Sequence, residues 1–157
     1  MDTAIESGDL LKIDDVDRKI LQQLTTDCRM SYRQIAKNTR ISVGTALSRV
    51  RRLEKAGIIK GYSAIVDHEM IGYELTAITE ITVSKGKLLE IEQAVSKLSN
   101  ACAVYDVTGL SDAIVISKFH TRDEMSKFIK KLLSLTFVDR TNTQVVLKTI
   151  KEDFRLS

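Results

Sequence analysis

The 157-residue sequence lacks any long hydrophobic run, and no apolar stretch approaches the roughly 18 to 20 residues that cross a bilayer. Its first 15 residues are acidic rather than basic and then apolar, so we predict no secretory signal peptide. These two absences favour a cytoplasmic protein. A chain of this length has room for one ordinary domain or for two small ones, and two small domains would favour oligomerisation.

Side chains that serve as nucleophiles or metal ligands are also scarce. The sequence contains two cysteines and two histidines, Cys28, Cys102, His68 and His120, without a CxxC motif or a Cys/His cluster. This spacing predicts neither a disulfide framework nor a zinc site, and we interpret both cysteines as reduced and largely buried. Because no nucleophile motif or Gly-rich phosphate loop accompanies the histidines, we predict no catalytic residue, no metal and no cofactor.

Positive charge is concentrated in one part of the chain. The formal net charge is +3, but residues 29–60 carry nine Lys or Arg against Glu54 alone. Residues 1–28 carry three basic residues against seven acidic ones, and residues 61–157 carry twelve against thirteen. A compact basic segment in a nearly neutral chain is typical of a surface that binds nucleic-acid phosphates. Charge alone leaves open a solvated basic helical face.

Three short helices are predicted in and before this basic segment. Apolar residues of 14–24 recur at helical spacing and indicate a first helix, and the carboxylates at its start suit the positive end of the helix dipole: Asp14, Asp15 and Asp17. Ser31 and Gln34 have the spacing of a capping box for a second helix. Ser42 can cap a third helix, with Gly57 as its stop. Three helices with tight turns predict a helix-turn-helix, and a packing-only role is the alternative.

The third helix is the candidate recognition helix. Its apolar stripe leaves hydroxyl and guanidinium side chains outward, and this mixture suits base edges and phosphates. Together with the start of the second helix, the predicted DNA-binding residues are Ser31, Tyr32, Arg33, Ser42, Thr45, Ser48, Arg49 and Arg52. Residues 58–66 are β-branched and alternating enough to predict a short strand, so the helical unit would carry a small wing and a linker.

Residues 71–150 show strand and helix patterns in the order β-α-β-β-α-β. Strands are predicted over 74–83, 101–107, 112–119 and 143–150. One helix is built on apolar residues from Leu88 to Leu98, and another opens at a capping-box spacing, Thr121 to Glu124. This order predicts a ferredoxin-like α+β domain, with helices on one face of an antiparallel sheet. Apolar side chains on the other face predict a homodimer, which would also place two recognition helices about 34 Å apart.

Several motifs, in order, resemble the Lrp/AsnC family of feast/famine transcriptional regulators over residues 13–156. They are Ile13–Leu21, Arg29–Tyr32, Ile35–Lys37, Ile41–Ser42, Arg49–Tyr62 and Ile71–Tyr73. The resemblance implies a sequence-specific DNA-binding regulator with a winged helix-turn-helix and a RAM-type effector and oligomerisation domain. It also implies dimers that often assemble into octamers and respond to amino acids at interfaces between dimers.

The resemblance further implies where an amino-acid effector would bind. The family's Gly-Asp-Tyr-Asp loop is replaced here by Gly109-Leu-Ser-Asp112, and Gln144 occupies the tyrosine position of its Thr-x-Thr-Tyr-Val-Val strand. An amino acid needs donors for its carboxylate and acceptors for its ammonium group. The predicted effector-binding residues are Gly109, Ser111, Asp112, Thr141 and Thr143. A purely structural β-turn at Gly109 and Asp112 is the alternative.

These patterns divide the chain into an N-terminal extension (1–12), a helix-turn-helix domain (13–62), a linker (63–70) and a ferredoxin-like effector-binding and oligomerisation domain (71–157). The predicted partners are double-stranded DNA, a second copy of the chain and an amino acid, with no membrane. Two other functions remain open. One is an enzyme like the haem-precursor decarboxylases of similar fold, against which the scarcity of histidine argues. The other is an effector sensor without DNA binding, against which the arginines of the third helix argue.

Overall fold

The computed structural model describes residues 12–84 and 86–155, so the predicted N-terminal extension lies outside the described residues except for Lys12. Contacts divide the described residues into two compact units, one comprising residues 12–65 with 153–155 and the other lying within Val66–Glu152. Each unit has its own hydrophobic core. None of the helices in the described part of the chain is long and apolar enough to cross a membrane.

The N-terminal unit contains the three predicted helices, which are α1 (Asp15–Thr26), α2 (Tyr32–Thr39) and α3 (Val43–Lys55). Each begins at a side chain whose oxygen accepts a backbone N–H of the first turn, namely Asp14, Ser31 and Ser42. The predicted capping box of α2 is confirmed, because Ser31 Oγ accepts from Gln34 N at 3.3 Å and Gln34 Oε1 accepts from Ser31 N at 2.8 Å. The core consists of Ile20, Ile35, Ala36, Ala46, Val50 and Leu53.

The short strand predicted over 58–66 is wrong, since the structure has no strand in that segment. Ile58 and Ile59 instead donate their backbone N–H groups to the Leu53 carbonyl, at 3.0 and 3.2 Å, and pack against the N-terminal core. The two residues therefore close α3 instead of opening a strand. The exposed residues that follow have a β-branched pattern, but a pattern does not supply the neighbouring strand that a sheet requires.

The C-terminal unit has the predicted β-α-β-β-α-β order. Its elements are β1 (Leu75–Val83), α4 (Leu88–Val95), β2 (Ala101–Asp106), β3 (Ala113–Phe119), α5 (Arg122–Leu133) and β4 (Val138–Val145). The strands form one sheet in the order β2-β3-β1-β4, and every neighbouring pair is antiparallel. This topology confirms the ferredoxin-like α+β prediction.

Side chains of the sheet alternate between two faces. Alternate residues of β1 and β3 are buried in a core with α4 and α5, and this core includes Ile81, Val115, Ile91 and Phe128. The opposite face presents half-buried isoleucines at the centre of the sheet and an exposed tyrosine on β2: Ile78, Ile114, Ile116 and Tyr105. The helices therefore cover one face, and the apolar centre of the other is open in the single chain.

The last strand lies earlier in the chain than predicted, over Val138–Val145 instead of 143–150. Its register is set by pairing with β1, from Val83 opposite Val138 to Ala77 opposite Val145. This strand forms although its sequence is mostly polar. The second predicted capping box is only half formed. Thr121 Oγ1 accepts from Glu124 N at 3.1 Å, but the Glu124 carboxylate accepts from His120 N and not from Thr121 N.

Both cysteines are exposed, which contradicts the predicted burial. Cys28 lies in the turn after α1. Cys102 lies on β2, an edge strand of the sheet, at the point where the register with β3 shifts between Ala101 and Ala103. Irregular backbone at a turn or a bulge leaves small side chains at the surface even when they are apolar.

Candidate DNA-binding and effector sites

A groove on the surface of α3 brings together most of the predicted DNA-binding residues. It is lined by Ser42, Gly44, Thr45, Ser48, Arg49 and Arg52, and we call it the α3 groove. The sequence interpretation missed Gly44, since a residue without a side chain carries no chemical signal. Ser42 Oγ accepts from Thr45 N at 3.0 Å, and the two hydroxyl oxygens are 2.8 Å apart. The cap of α3 therefore fixes two of the hydroxyl groups at one end of the groove.

The other predicted DNA-binding residues lie at the start of α2. Ser31, Tyr32 and Arg33 are all exposed there, and Tyr32 retains 39% of its accessible surface. The Ser31 hydroxyl already takes part in the capping box, so its hydrogen-bonding capacity is partly used within the chain. These residues do not line the α3 groove and form a separate exposed surface of the same unit.

The helical pattern predicted that Arg49 and Arg52 project outward from α3. In the structure these two arginines bind two aspartates at the start of α1. Arg49 Nη1 donates to both oxygens of Asp14, at 2.7 and 2.6 Å, and to Asp17 Oδ1 at 3.0 Å. Arg52 Nη2 donates to Asp17 Oδ2. Asp17 is fully buried, whereas 26% of the Arg49 side chain and 43% of the Arg52 side chain remain exposed. We call these four residues the Asp–Arg network.

Within the network, the contact between Asp14 and Arg49 stabilises the charged forms of these two residues. The hydrogen bond from Arg49, followed by that from the Asp17 backbone, lowers the pKa of Asp14 from 3.8 to about 2. Hydrogen bonds to Asp14 and then to Asp17 raise the pKa of Arg49 above its ordinary value. Asp14 and Arg49 therefore remain ionised near neutral pH. The contacts fasten the start of α1 to the middle of α3, the helix that carries the groove.

Asp14 and Asp17 were missed as members of this surface because the sequence assigned them to the dipole of α1. Their spacing nevertheless contained a signal. The two aspartates are three residues apart, as are Arg49 and Arg52, and residues at this spacing share one face of a helix. Two negative charges at the start of α1 and two positive charges on one face of α3 match the pairing that the structure shows.

The predicted effector loop, residues 107–112, joins β2 to β3. Gly109 has a φ of 130°, a conformation that side chains rarely allow, and Leu110 at the tip is 96% exposed. Asp112 Oδ2 accepts from Val83 N at 2.7 Å, and Asp112 N donates to the Ile81 carbonyl at 2.9 Å. One carboxylate oxygen of Asp112 therefore fastens the loop to the end of β1.

The predicted threonines of β4 lie on the other side of β1. Thr141 pairs with Ile81, the residue whose carbonyl also binds Asp112 N, so Thr141 and the loop flank the same part of β1. Thr143 is opposite Thr79, and their hydroxyl oxygens are 3.1 Å apart. Thr79 is fully buried, so the Thr143 hydroxyl makes one of its hydrogen bonds to a buried hydroxyl group.

Comparison with known proteins covers both units. Residues 13–60 match the family described as winged helix-turn-helix DNA-binding, and residues 76–156 match the Lrp/AsnC ligand binding domain. An uncharacterised HTH-type transcriptional regulator of Pyrococcus furiosus is 47% identical over 146 residues, which cover 93% of this chain and 99% of that protein. The HTH-type transcriptional regulator FL11 of Pyrococcus horikoshii is 33% identical over 144 residues, covering 92% and 95%.

Solved structures of similar proteins have the same fold. A transcriptional regulator of Neisseria meningitidis in complex with L-Met has a TM-score of 0.82 at 28% identity, covering 93% of this chain and 97% of that one. E. coli AsnC has a TM-score of 0.81 at 25% identity, covering 90% and 97%. The relatives are named as regulators and not as the decarboxylases considered above. The chain therefore belongs to the Lrp/AsnC family of DNA-binding transcriptional regulators.

Proposed function

We propose that this regulator binds double-stranded DNA in the cytoplasm with the α3 groove and the exposed start of α2. The observation that carries the proposal is the groove, in which three hydroxyl and two guanidinium side chains share one surface of α3. Hydroxyl groups and arginines bind phosphates, and arginine also reads guanine in the major groove. The nine basic residues of 29–60 add the positive potential that attracts a duplex.

Two arginines of α3 allow a matched test. Arg49 lines the groove, whereas Arg51 is exposed and lies outside it. On a duplex selected from a random pool by the wild-type protein, Arg49→Ala should weaken binding by about 1–3 kcal/mol, as expected for a base-reading arginine. Arg51→Ala should cost at most one salt-dependent phosphate contact. Equal losses in the two variants, measured by fluorescence anisotropy, would contradict the assignment of the groove.

The proposal includes an amino-acid effector at the loop of residues 107–112 and the neighbouring Thr141. The Neisseria relative is a complex with L-Met, which supports an amino acid as the class of ligand. Exposed Leu110 at the loop tip suits contact with another copy of the chain, so the pocket would be completed by assembly. Asp112 would bind the ligand's ammonium group with the carboxylate oxygen that does not bind Val83.

The effector is tested by calorimetry of the full-length protein with each of the twenty amino acids. Asp112→Asn is the informative variant because its side-chain oxygen still accepts from Val83 N while the negative charge is lost. We expect heat with at least one amino acid for the wild type and a large loss of affinity in the variant. Binding that Asp112→Asn leaves unchanged would remove this residue from the pocket.

The third part of the proposal is a homodimer through the open face of the sheet. Ile78, Ile114 and Ile116 form a half-buried apolar centre on that face, beside Tyr105, which is 43% exposed. A contiguous apolar patch of this kind is uncommon on monomers. The β4 side of the face is polar, because Asn142 donates to Glu80 there at 3.0 Å and Gln144 is exposed. The expected contact is therefore centred on β3 and β1.

Sedimentation velocity tests the dimer with two substitutions on the same face. Ile116→Arg introduces a charge into the apolar centre and should yield a monomer. Gln144→Arg introduces the same charge on the polar side and should leave the assembly unchanged. A wild-type monomer, or a dimer that survives Ile116→Arg, would contradict this interface.

A further inference from the structure

We propose that Asp14 and Asp17 are positioning residues for DNA recognition, because they hold the guanidinium groups of Arg49 and Arg52 in the orientation in which these meet the duplex. The inference rests on the proposed use of the α3 groove. Neither aspartate lines that groove, so their contribution to recognition is indirect. Asp14 caps α1 and Asp17 lies in its first turn, and the sequence assigned this helix no part in binding.

The carboxylates of Asp14 and Asp17 are the less mobile groups of the network. Asp14 Oδ1 accepts from Asp17 N at 2.9 Å, and Asp17 Oδ2 accepts from Asp14 N at 3.1 Å, so each is tied to the backbone at the start of α1. Asp17 is also fully buried. A carboxylate held by burial and by a reciprocal cap has little freedom to follow a partner. The long arginine side chains must therefore adapt to the aspartates.

The arginines keep donors for DNA while they are held. All three contacts of Arg49 use Nη1, and the contact of Arg52 uses Nη2. A guanidinium group carries five N–H donors, so the network engages only part of each group. Both side chains retain exposed surface and line the groove. Each arginine is thus anchored through one nitrogen, and part of its side chain remains exposed.

Anchoring should affect discrimination between sequences more than total affinity. A mobile arginine loses conformational entropy when it binds, and a side chain already ordered by folding loses less. Reading a base also requires a defined geometry, whereas attraction to phosphates does not. A loosened Arg49 would therefore still bind DNA but would distinguish sequences poorly.

Removal of an aspartate also removes a negative charge, which by itself strengthens binding to any duplex. A control with the same change of charge is therefore needed, and Asp15 provides it. Asp15 is exposed and adjacent to Asp14, and its carboxylate makes no hydrogen bond or ion pair within residues 12–84 and 86–155. Asp15→Asn reports the charge alone. Asp14→Asn reports the charge together with a weakened anchor, because an NH2 donor replaces one of the two oxygens that accept from Arg49.

The experiment measures the affinity of the full-length protein for two duplexes, one selected from a random pool by the wild type and one of scrambled sequence and equal length. Asparagine caps helices as well as aspartate does, so Asp14→Asn should keep α1. We expect Asp15→Asn to leave the ratio of the two affinities unchanged. Asp14→Asn should lower that ratio by about fivefold or more, the lower end of the discrimination that one bidentate contact gives.

Thermal unfolding checks that each variant is folded, and Asp14→Ser, another capping residue, repeats the test should the asparagine variant unfold. A folded Asp14 variant with the wild-type ratio overturns the inference. Arg49→Ala separates the two proposals. If it lowers the ratio while Asp14→Asn does not, the groove reads DNA without the anchor and only the inference fails. If Arg49→Ala leaves the ratio unchanged, the groove assignment fails and the inference fails with it.

Discussion

The two units of this protein are stabilised by different kinds of contact. The buried core of the C-terminal unit includes large side chains, among them Phe119 and Phe128, whose rings meet edge to face with centroids 5.2 Å apart. The core of the N-terminal unit is smaller and adjoins the fully buried Asp17, which binds two arginines. The helical unit thus supplements a small core with ion pairs around a fully buried aspartate. The sheet unit has a larger apolar core and an ion pair between the buried Lys118 and Glu152 at 2.9 Å.

This difference bears on function. In the N-terminal unit, Arg49 and Arg52 both join helices and line the α3 groove, so stability and DNA binding share the same side chains. In the C-terminal unit, the core residues and the loop around Asp112 are separate sets. Substitutions should therefore affect stability and binding together in the first unit and independently in the second.

The largest expected effect tests the apolar side of this comparison. Phe119 is fully buried, so Phe119→Ala should destabilise the C-terminal unit by about 3–5 kcal/mol. Because the lost contacts are apolar, the loss should be similar at low and moderate salt. Urea unfolding at two salt concentrations measures this loss of stability. Leu89 is 66% exposed, so Leu89→Ala is the control and should change stability little. A loss below about 1 kcal/mol would show that the sheet unit does not depend on this core.

The next effect tests the ionic side. Asp17→Asn should destabilise the N-terminal unit by about 2–3 kcal/mol, less than the loss of a partner from a fully buried pair, because both arginines retain contact with solvent. Added salt should reduce the difference from the wild type, unlike for Phe119→Ala. Asp15→Asn is the matched control and should change stability little. A loss of stability that does not depend on salt and equals that of Phe119→Ala would contradict the difference between the two units.

The sequence predicted the local features of both units well. The sequence predicted the capping residues Ser31, Ser42 and Thr121 because a cap joins residues only three positions apart. Contacts over so short a distance along the chain can be recognised from residue spacing. The sequence of strands and helices along the C-terminal unit followed from the spacing of apolar residues. The family was evident from ordered motifs, and the comparisons confirm it.

Features that depend on distant parts of the chain were predicted less well. The Asp–Arg network joins residues 32 to 35 positions apart, so the spacing within each segment showed which side chains share a face but not that the two faces meet. The position of β4 is set by its pairing with β1 rather than by its own polar sequence. The strand expected over 58–66 has the composition of a strand but pairs with no strand in the part of the chain that the structure describes. In each case, the deciding contact lies outside the segment that carries the pattern.

A smaller effect concerns acid stability. The pKa of Asp14 is lowered to about 2, so its ionised form favours the folded state. This contribution is present above the ordinary value of 3.8 and is lost as the pH falls toward about 2. Thermal unfolding across this range should show a shallower pH dependence of the N-terminal unit in Asp14→Asn than in wild type or Asp15→Asn. Identical profiles would mean that the Arg49 contact adds no pH-dependent stability.

The smallest expected effect concerns a polar contact outside the Asp–Arg network of the N-terminal unit. Tyr62 Oη donates to Glu54 Oε1 at 2.8 Å, and burial, followed by this hydrogen bond, raises the pKa of Tyr62 to about 12. The neutral phenol therefore favours the folded state, and its contribution is complete below about pH 10 and lost as the pH rises toward 12.

Tyr62→Phe should cost about 1 kcal/mol or less, because the hydrogen bond is exposed to solvent. Its absorbance titration should lack a component near pH 12 that the wild type shows. Tyr105→Phe in the C-terminal unit is the control, since the Tyr105 hydroxyl makes no hydrogen bond within the described residues. It should leave the stability of the folded chain nearly unchanged. Equal losses of stability in the two variants would show that the contact between Tyr62 and Glu54 does not stabilise the helical unit. Stabilisation by polar contacts in that unit would then be confined to the Asp–Arg network.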